Sequence, residues 1–101
     1  MDIQTEYIGT TLIVELKGEI DQSCAARLRI EIDRKIQENH IKNLVLDFGK
    51  VSFMDSSGIG VILGRYKQIK ALGGKTMIIR PQPQVDKVLE LSGLKKLMDC
   101  N

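Results

Sequence analysis

The sequence has few of the residues that define several protein classes. It has no Trp, and aromatic residues make up only 4% of its 101 residues, so its core must consist largely of Ile, Leu, Val and Met. Two cysteines, Cys24 and Cys100, are too few for a disulfide scaffold, and we expect free thiols in a reducing compartment. One histidine and two distant cysteines do not provide a metal site.

Long apolar runs and a charge imbalance are also missing. No stretch approaches the ~20 apolar residues of a membrane-spanning helix, and the N-terminus MDIQTEY lacks the order of a signal peptide. Fifteen basic and 13 acidic residues give a formal net charge of +2, which provides no strong electrostatic reason to bind nucleic acid or an anionic membrane. We therefore expect a cytoplasmic protein with one domain over residues 1–101.

The first half of the chain predicts a hairpin, a helix and a buried strand. A turn at residues 9–10 separates two extended runs, and in the second run Leu12, Val14 and Leu16 form an apolar face. Ser23 is expected to cap a helix over about residues 24–39. The run NLVLDF is typical of a strand buried on both faces. Residues 49–54 are expected to be a connection.

The second half predicts two more helices with a strand between them. The first helix spans about residues 56–72, ends at Gly73-Gly74 and has a buried stripe of Ile59, Ile62, Leu63, Tyr66 and Ile69. KTMIIR is the strand. Pro83 lies in the first turn of the third helix, whose apolar positions are Val85, Val88, Leu89 and Leu91. Gly93 suits a left-handed helix end with Leu94 packing back.

This order of elements predicts an α/β fold. Strands joined through helices are parallel neighbours, and the opening hairpin adds an antiparallel pair. We expect one mixed β-sheet with an N-terminal hairpin and helices packed against it. In such sheets, sites lie in loops beyond the carboxyl ends of the parallel strands. The loop after NLVLDF is such a place, and it leads into DSSG, residues 55–58.

Familiar catalytic and nucleotide motifs fail on spacing. Gly58 and Gly60 begin the G-x-G-x-x-G pattern of dinucleotide-binding proteins, but Gly64 comes one residue too late for it. We attribute Gly60 and Gly64 to helix packing, because their four-residue spacing places them on one side of the helix. GGKT precedes a strand, whereas a phosphate-binding loop precedes a helix. The serine hydrolase pattern G-x-S-x-G is absent. His40, the only histidine, is expected on the surface after a helix end.

The remaining candidate is DSSG at the start of the second helix. Asp and Ser accept hydrogen bonds from free backbone N–H groups, so ordinary helix capping explains them. The same helix start also suits a phosphate. A phosphoserine adds about −1.5 to −2 charges, which the helix dipole stabilises by roughly 0.3–1 kcal/mol. Gly58 is expected to let a partner's backbone approach closely.

Three segments together resemble a known family. FMDSSGIGVILGRYKQIK, GEID at residues 18–21 and LSGL at residues 91–94 strongly resemble the anti-sigma factor antagonists, which are single-domain members of the STAS fold. The central block is most similar to the sporulation branch, with general stress response as the close alternative. The resemblance covers nearly the whole chain. Members of this branch often continue into a further C-terminal helix, whereas this chain stops at Asn101.

The resemblance implies a partner-switching function without enzymatic activity. The unmodified antagonist binds an anti-sigma factor that is also a serine kinase, and the sigma factor is released. The kinase uses ATP to phosphorylate the antagonist, which needs no cofactor itself, and a separate serine phosphatase restores it. On the matching motif positions the acceptor is Ser56, and Asp21, Asp55, Ser57 and Gly58 are partner contacts.

Two other functions remain open from the sequence. A small nucleotide-binding protein or weak NTPase could use the helix start at residues 55–60, and it would lose nucleotide binding when Ser56 or Gly58 is changed. A subunit of a larger STAS signalling assembly would self-associate to high order.

Overall fold

A computed structural model describes all 101 residues. In chain order the elements are β1 (Asp2–Ile8), β2 (Thr11–Ile20), α1 (Gln22–Glu38), β3 (Asn43–Met54), α2 (Ser56–Ala71), β4 (Thr76–Ile79), α3 (Pro83–Leu91), a single 3-10 turn (Leu94–Lys96) and β5 (Asp99–Cys100). None of the helices combines the length and apolar character needed to cross a membrane.

The five strands form one mixed sheet in the order β1-β2-β3-β4-β5. β1 and β2 are antiparallel and join through the predicted turn, whereas β2, β3, β4 and β5 are parallel neighbours. Each of the two central crossovers is a helix, α1 or α2, as parallel pairing requires. The predicted α/β fold with an N-terminal hairpin is confirmed.

The core lies between the sheet and the helices. The three alternating residues predicted on β2, Leu12, Val14 and Leu16, are essentially inaccessible to solvent. They meet the buried face of α1, formed by Leu28, Ile32 and Ile36 at helical spacing. On α2, Ile62 and Ile69 are buried, and the other predicted stripe residues, Ile59, Leu63 and Tyr66, are half-buried against the same cluster.

Residues 49–54 correct one prediction, because they belong to β3 and are not a connection. β2 continues to Ile20, and its last residues pair with this part of β3 through two register irregularities. Met54 is thereby the partner of Ile20. The two neighbouring strands therefore end at the same level, and the residues that follow them, Asp21 and Asp55, lie side by side.

The ends of the helices largely follow prediction. A side chain on Gly74 would overlap the carbonyl oxygen of Lys42, so only glycine fits where the chain leaves α2. Gly93 has the predicted left-handed backbone, with φ +83°, and Leu94 is buried. The prediction that Leu91 belongs to the buried apolar face of α3 was wrong, since its side chain is 79% exposed. It lies two residues after the buried Leu89 and therefore faces away from the core.

Candidate functional site at two adjacent helix starts

The two helices that follow β2 and β3 begin in the same way. The backbone N–H of Ser23 donates to Oδ1 of Asp21 at 2.9 Å, and the N–H of Ser57 donates to Oδ1 of Asp55 at 2.8 Å. Both aspartates have extended backbone, as helix N-caps do. The predicted cap at Ser23 was wrong: β2 ends at Ile20, so the helix begins two residues earlier and Asp21 becomes the cap.

The two caps are joined through the backbone. The N–H of Asp55 donates to the carbonyl oxygen of Ile20 at 3.2 Å, directly before Asp21. This hydrogen bond extends the β2–β3 pairing to the base of both helices. Because the starts of α1 and α2 are neighbours, their partial positive charges add in the same small region of surface.

The carboxylate of Asp21 accepts one further hydrogen bond. The hydroxyl of Ser23 donates to its Oδ1 at 2.5 Å. This side-chain hydrogen bond is the largest cause that lowers the pKa of Asp21, and the backbone N–H of Ser23 adds to it. Asp21 is therefore an ionised carboxylate at neutral pH, held in a fixed orientation at the surface.

The two serines of DSSG differ in exposure. Ser56, the first residue of α2, is exposed, and its hydroxyl makes no hydrogen bond within the chain. Ser57 is half-buried. The structure therefore leaves the hydroxyl of Ser56 the more accessible of the two, at a helix start where an anion is favoured.

Gly58 has a different role from the one expected. It is buried, and a side chain there would overlap Cγ of Met54 and lie 2.9 Å from Cγ2 of Ile20. The glycine lets the first turn of α2 pack against the ends of both strands. The expectation that Gly58 lets a partner's backbone approach is corrected by this burial. The same burial argues against the nucleotide-binding hypothesis, because the backbone at Gly58 is not open to a nucleotide.

A surface groove between α1 and α2 was not anticipated from the sequence. It has a volume of about 570 Å³ and is lined by Gln22, Ala25, Arg29, Ser57, Gly60 and Arg65, among others. The attribution of Gly60 and Gly64 to helix packing was wrong, because a Cβ added at either position would have no atom within 4 Å. The small residues Ala25 and Ala26 on α1 and Gly60 on α2 were the sequence feature that could have predicted this groove.

Arg65 is the charged residue in the wall of this groove that is most shielded from water. Its side chain is only 9% exposed, and Nε lies 2.8 Å from Oδ1 of Asp33. Nη1 donates to the carbonyl oxygen of Val61 at 3.1 Å. Burial lowers the pKa of Arg65, the carboxylate of Asp33 opposes that shift, and the positive charge of Arg29 adds to it. The guanidinium of Arg65 therefore has one carboxylate partner, Asp33, and the positive charge of Arg29 acts on it as well.

The remaining chemistry-bearing residues are dispersed. No three His, Cys, Asp or Glu side chains lie together in a way that could hold a metal ion. Cys24 and Cys100 are free and half-buried. His40 is exposed and follows the end of α1, as predicted.

Comparisons with known proteins agree with this geometry. The family model of the STAS domain matches residues 2–101. A protein of Paenibacillus polymyxa, named anti-sigma F factor antagonist, is 41% identical over 98 residues, which are 97% of this chain and 84% of that protein.

Two solved structures are similar over nearly the whole chain. The anti-sigma factor antagonist SpoIIAA in its unphosphorylated form has a TM-score of 0.87 and 34% identity, covering 99% of this chain and 88% of that one. The Bacillus cell fate determinant SpoIIAA in its phosphorylated form has a TM-score of 0.77 and 33% identity. The match covers 99% of this chain and 91% of that one. The same fold has therefore been solved in both phosphorylation states.

Proposed function

The chain belongs to the STAS domain family, and we propose that it acts as an anti-sigma factor antagonist through a phosphorylation switch at Ser56. Its similarity to antagonists of the sigma F type, and to a protein solved in both phosphorylation states, supports this function. The unmodified protein binds an anti-sigma factor, and the sigma factor is released.

The partner supplies the catalysis. We propose that the anti-sigma factor is also a serine kinase, that it uses ATP to modify Ser56, and that a serine phosphatase reverses the modification. The antagonist itself is a regulator and not an enzyme, and it needs no cofactor. It functions in the cytoplasm, where the sigma factor acts, without direct contact to nucleic acid or membrane.

The exposed hydroxyl of Ser56 is the observation on which this proposal rests. It lies at the first position of α2, free of hydrogen bonds within the chain, beside a second helix start. A kinase can therefore reach it without unfolding the helix. The helix dipole favours the phosphate locally, by roughly 0.3–1 kcal/mol, so the fold tolerates a charge that the partner does not.

The surrounding residues define the rest of the switch. Asp21, ionised and held by Ser23, lies next to the base of α2. Asp55 fixes the direction of the first turn through the N–H of Ser57. We propose that Asp21, Asp55 and Ser57 contact the partner together with Ser56, whereas Gly58 contributes by packing inside the domain.

A small change in charge is sufficient to separate the complex. A dianion introduced at a docking surface must lose its hydration or meet a like charge when the partner binds. Each 1.4 kcal/mol of that penalty weakens binding tenfold. Two or three such steps convert a functional complex into a dissociated one without refolding.

The test is incubation with the cognate anti-sigma factor and ATP, followed by mapping of the modified residue. We expect one phosphate on Ser56, lost in Ser56→Ala and retained in the matched variant Ser57→Ala. Efficient labelling of another residue with Ser56 unmodified would contradict the proposal.

A further inference from the structure

Gly60 and Gly64 raise a question that packing within the domain does not answer. Glycine is unfavourable inside a helix relative to alanine because it loses more backbone freedom on folding. A Cβ added at either position would meet no atom within 4 Å, so alanine would fit both. They differ in location, since Gly60 is exposed and lines the groove between α1 and α2, whereas Gly64 does not line it. Close approach from outside the domain would explain a glycine at position 60.

The charges of the groove indicate what would approach. Arg29 and Arg65 both line it, and Arg65 is more than nine-tenths buried. Its Nε lies within ion-pair distance of Asp33 but forms no aligned hydrogen bond. The side chains that line the groove thus include two guanidinium groups and no carboxylate, since Asp33 and the two cap residues, Asp21 and Asp55, lie outside its lining. The groove therefore favours an anionic group.

We propose that this groove binds an acidic segment of the anti-sigma factor, with the main chain of that segment over Gly60 and one of its carboxylates paired with Arg29. This inference rests on the function proposed above and identifies the chemistry of the partner. The groove begins at Ser57, next to Ser56, so the acidic segment ends beside the phosphorylation site. A phosphate on Ser56 would repel that segment, which gives the switch a specific physical basis.

The first test reverses one charge. Arg29→Glu is compared with Arg34→Glu, which makes the same change at another exposed position of α1 that is outside the groove. Titration calorimetry of the unphosphorylated antagonist with its cognate anti-sigma factor measures the affinity. We expect Arg29→Glu to weaken binding by about tenfold or more, with a smaller loss at high salt, and Arg34→Glu to bind within about threefold of wild type. Equal affinities for the two variants would overturn the inference.

The second test fills the space above the helix. Gly60→Gln and Gly64→Gln both introduce a better helix former at an open position, so neither should lower the thermal midpoint of the free protein. We expect Gly60→Gln alone to weaken binding, by about tenfold or more. If both variants bind like wild type, the groove is not part of the interface while the proposed function stands. If wild type itself does not bind the anti-sigma factor, the proposed function fails and the groove inference fails with it.

Discussion

Asp21 and Asp55 cap neighbouring helices with almost the same hydrogen bond, at 2.9 and 2.8 Å, to the backbone N–H two residues further on. They are adjacent because Ile20 and Met54 end their strands as a pair. The sheet therefore positions two helix starts, one carboxylate from each and the Ser56 hydroxyl on one small surface. Both aspartates cap helices, and we propose partner binding for the same surface, so suitable substitutions separate the two roles.

Asp55→Ala should destabilise the protein by about 1 kcal/mol, because it removes the acceptor for the N–H of Ser57. Asp55→Asn retains an oxygen acceptor and should recover most of that loss. Urea unfolding measures both free energies. An Asp55→Ala variant as stable as wild type would show that the observed hydrogen bond does not stabilise the start of α2.

Asp21→Asn should separate charge from capping on α1. The amide oxygen can still accept from Ser23, so we expect a free energy of unfolding within about 0.5 kcal/mol of wild type. The lost negative charge should weaken binding to the anti-sigma factor if the carboxylate contacts the partner. Calorimetric titration checks the affinity, and an unchanged affinity would limit Asp21 to a capping role.

Gly58→Ala should be destabilising by about 1–3 kcal/mol, because its methyl group would overlap Met54 and crowd Ile20. Gly64→Ala is the matched control in the same helix, where the methyl group meets open space. That control should stabilise the protein by about 0.5–1 kcal/mol. We expect the free energy of unfolding to fall in Gly58→Ala and to rise in Gly64→Ala. Equal changes in the two variants would show that packing around position 58 does not exclude a methyl group.

Asp47 should make the fold sensitive to acid. Burial acts to raise its pKa, but hydrogen bonds from Arg80, at 3.1 and 2.7 Å, and from the N–H of Gly49 outweigh burial and lower it. A lowered pKa in the folded state adds stability above the unfolded-state pKa, about 3.9. That contribution is lost as the pH falls through the folded-state value.

The corresponding variant is Asp47→Asn. It should be less stable than wild type at pH 7, and its free energy of unfolding should fall less between pH 5 and pH 2, so that the two curves converge in acid. Unfolding by urea across that range provides the comparison. Parallel curves for the two proteins would contradict the assigned role of the Asp47–Arg80 pair.

Local patterns in the sequence were sufficient for most elements of the fold. Alternation on β2, helical spacing on α1 and α2, and the glycine at position 93 each depend on nearby residues, and each prediction was confirmed. The position of the Ser56 hydroxyl at a helix start was predicted for the same reason, since the Asp before it is a strong cap residue.

Apart from Leu91, which faces away from the core because of local helical spacing, the errors arose where distant parts of the chain determine local structure. Residues 49–54 resemble a connection, but pairing with the end of β2 makes them a strand, and this pairing also moves the α1 cap from Ser23 to Asp21. The inward packing of Gly58 depends on Ile20, 38 positions earlier in the chain. The groove likewise needs α1 and α2 to be neighbours, which no short motif specifies.

The central claim is that a phosphate on Ser56 alone determines whether the anti-sigma factor binds. The most direct measurement is the affinity of protein phosphorylated stoichiometrically at Ser56, compared with the unmodified protein, for the same anti-sigma factor. We predict that binding weakens by about a hundredfold or more, equivalent to about 2.8 kcal/mol, while α2 stays folded by amide hydrogen exchange. Equal affinity of the two forms, with Ser56 fully modified, would contradict the account.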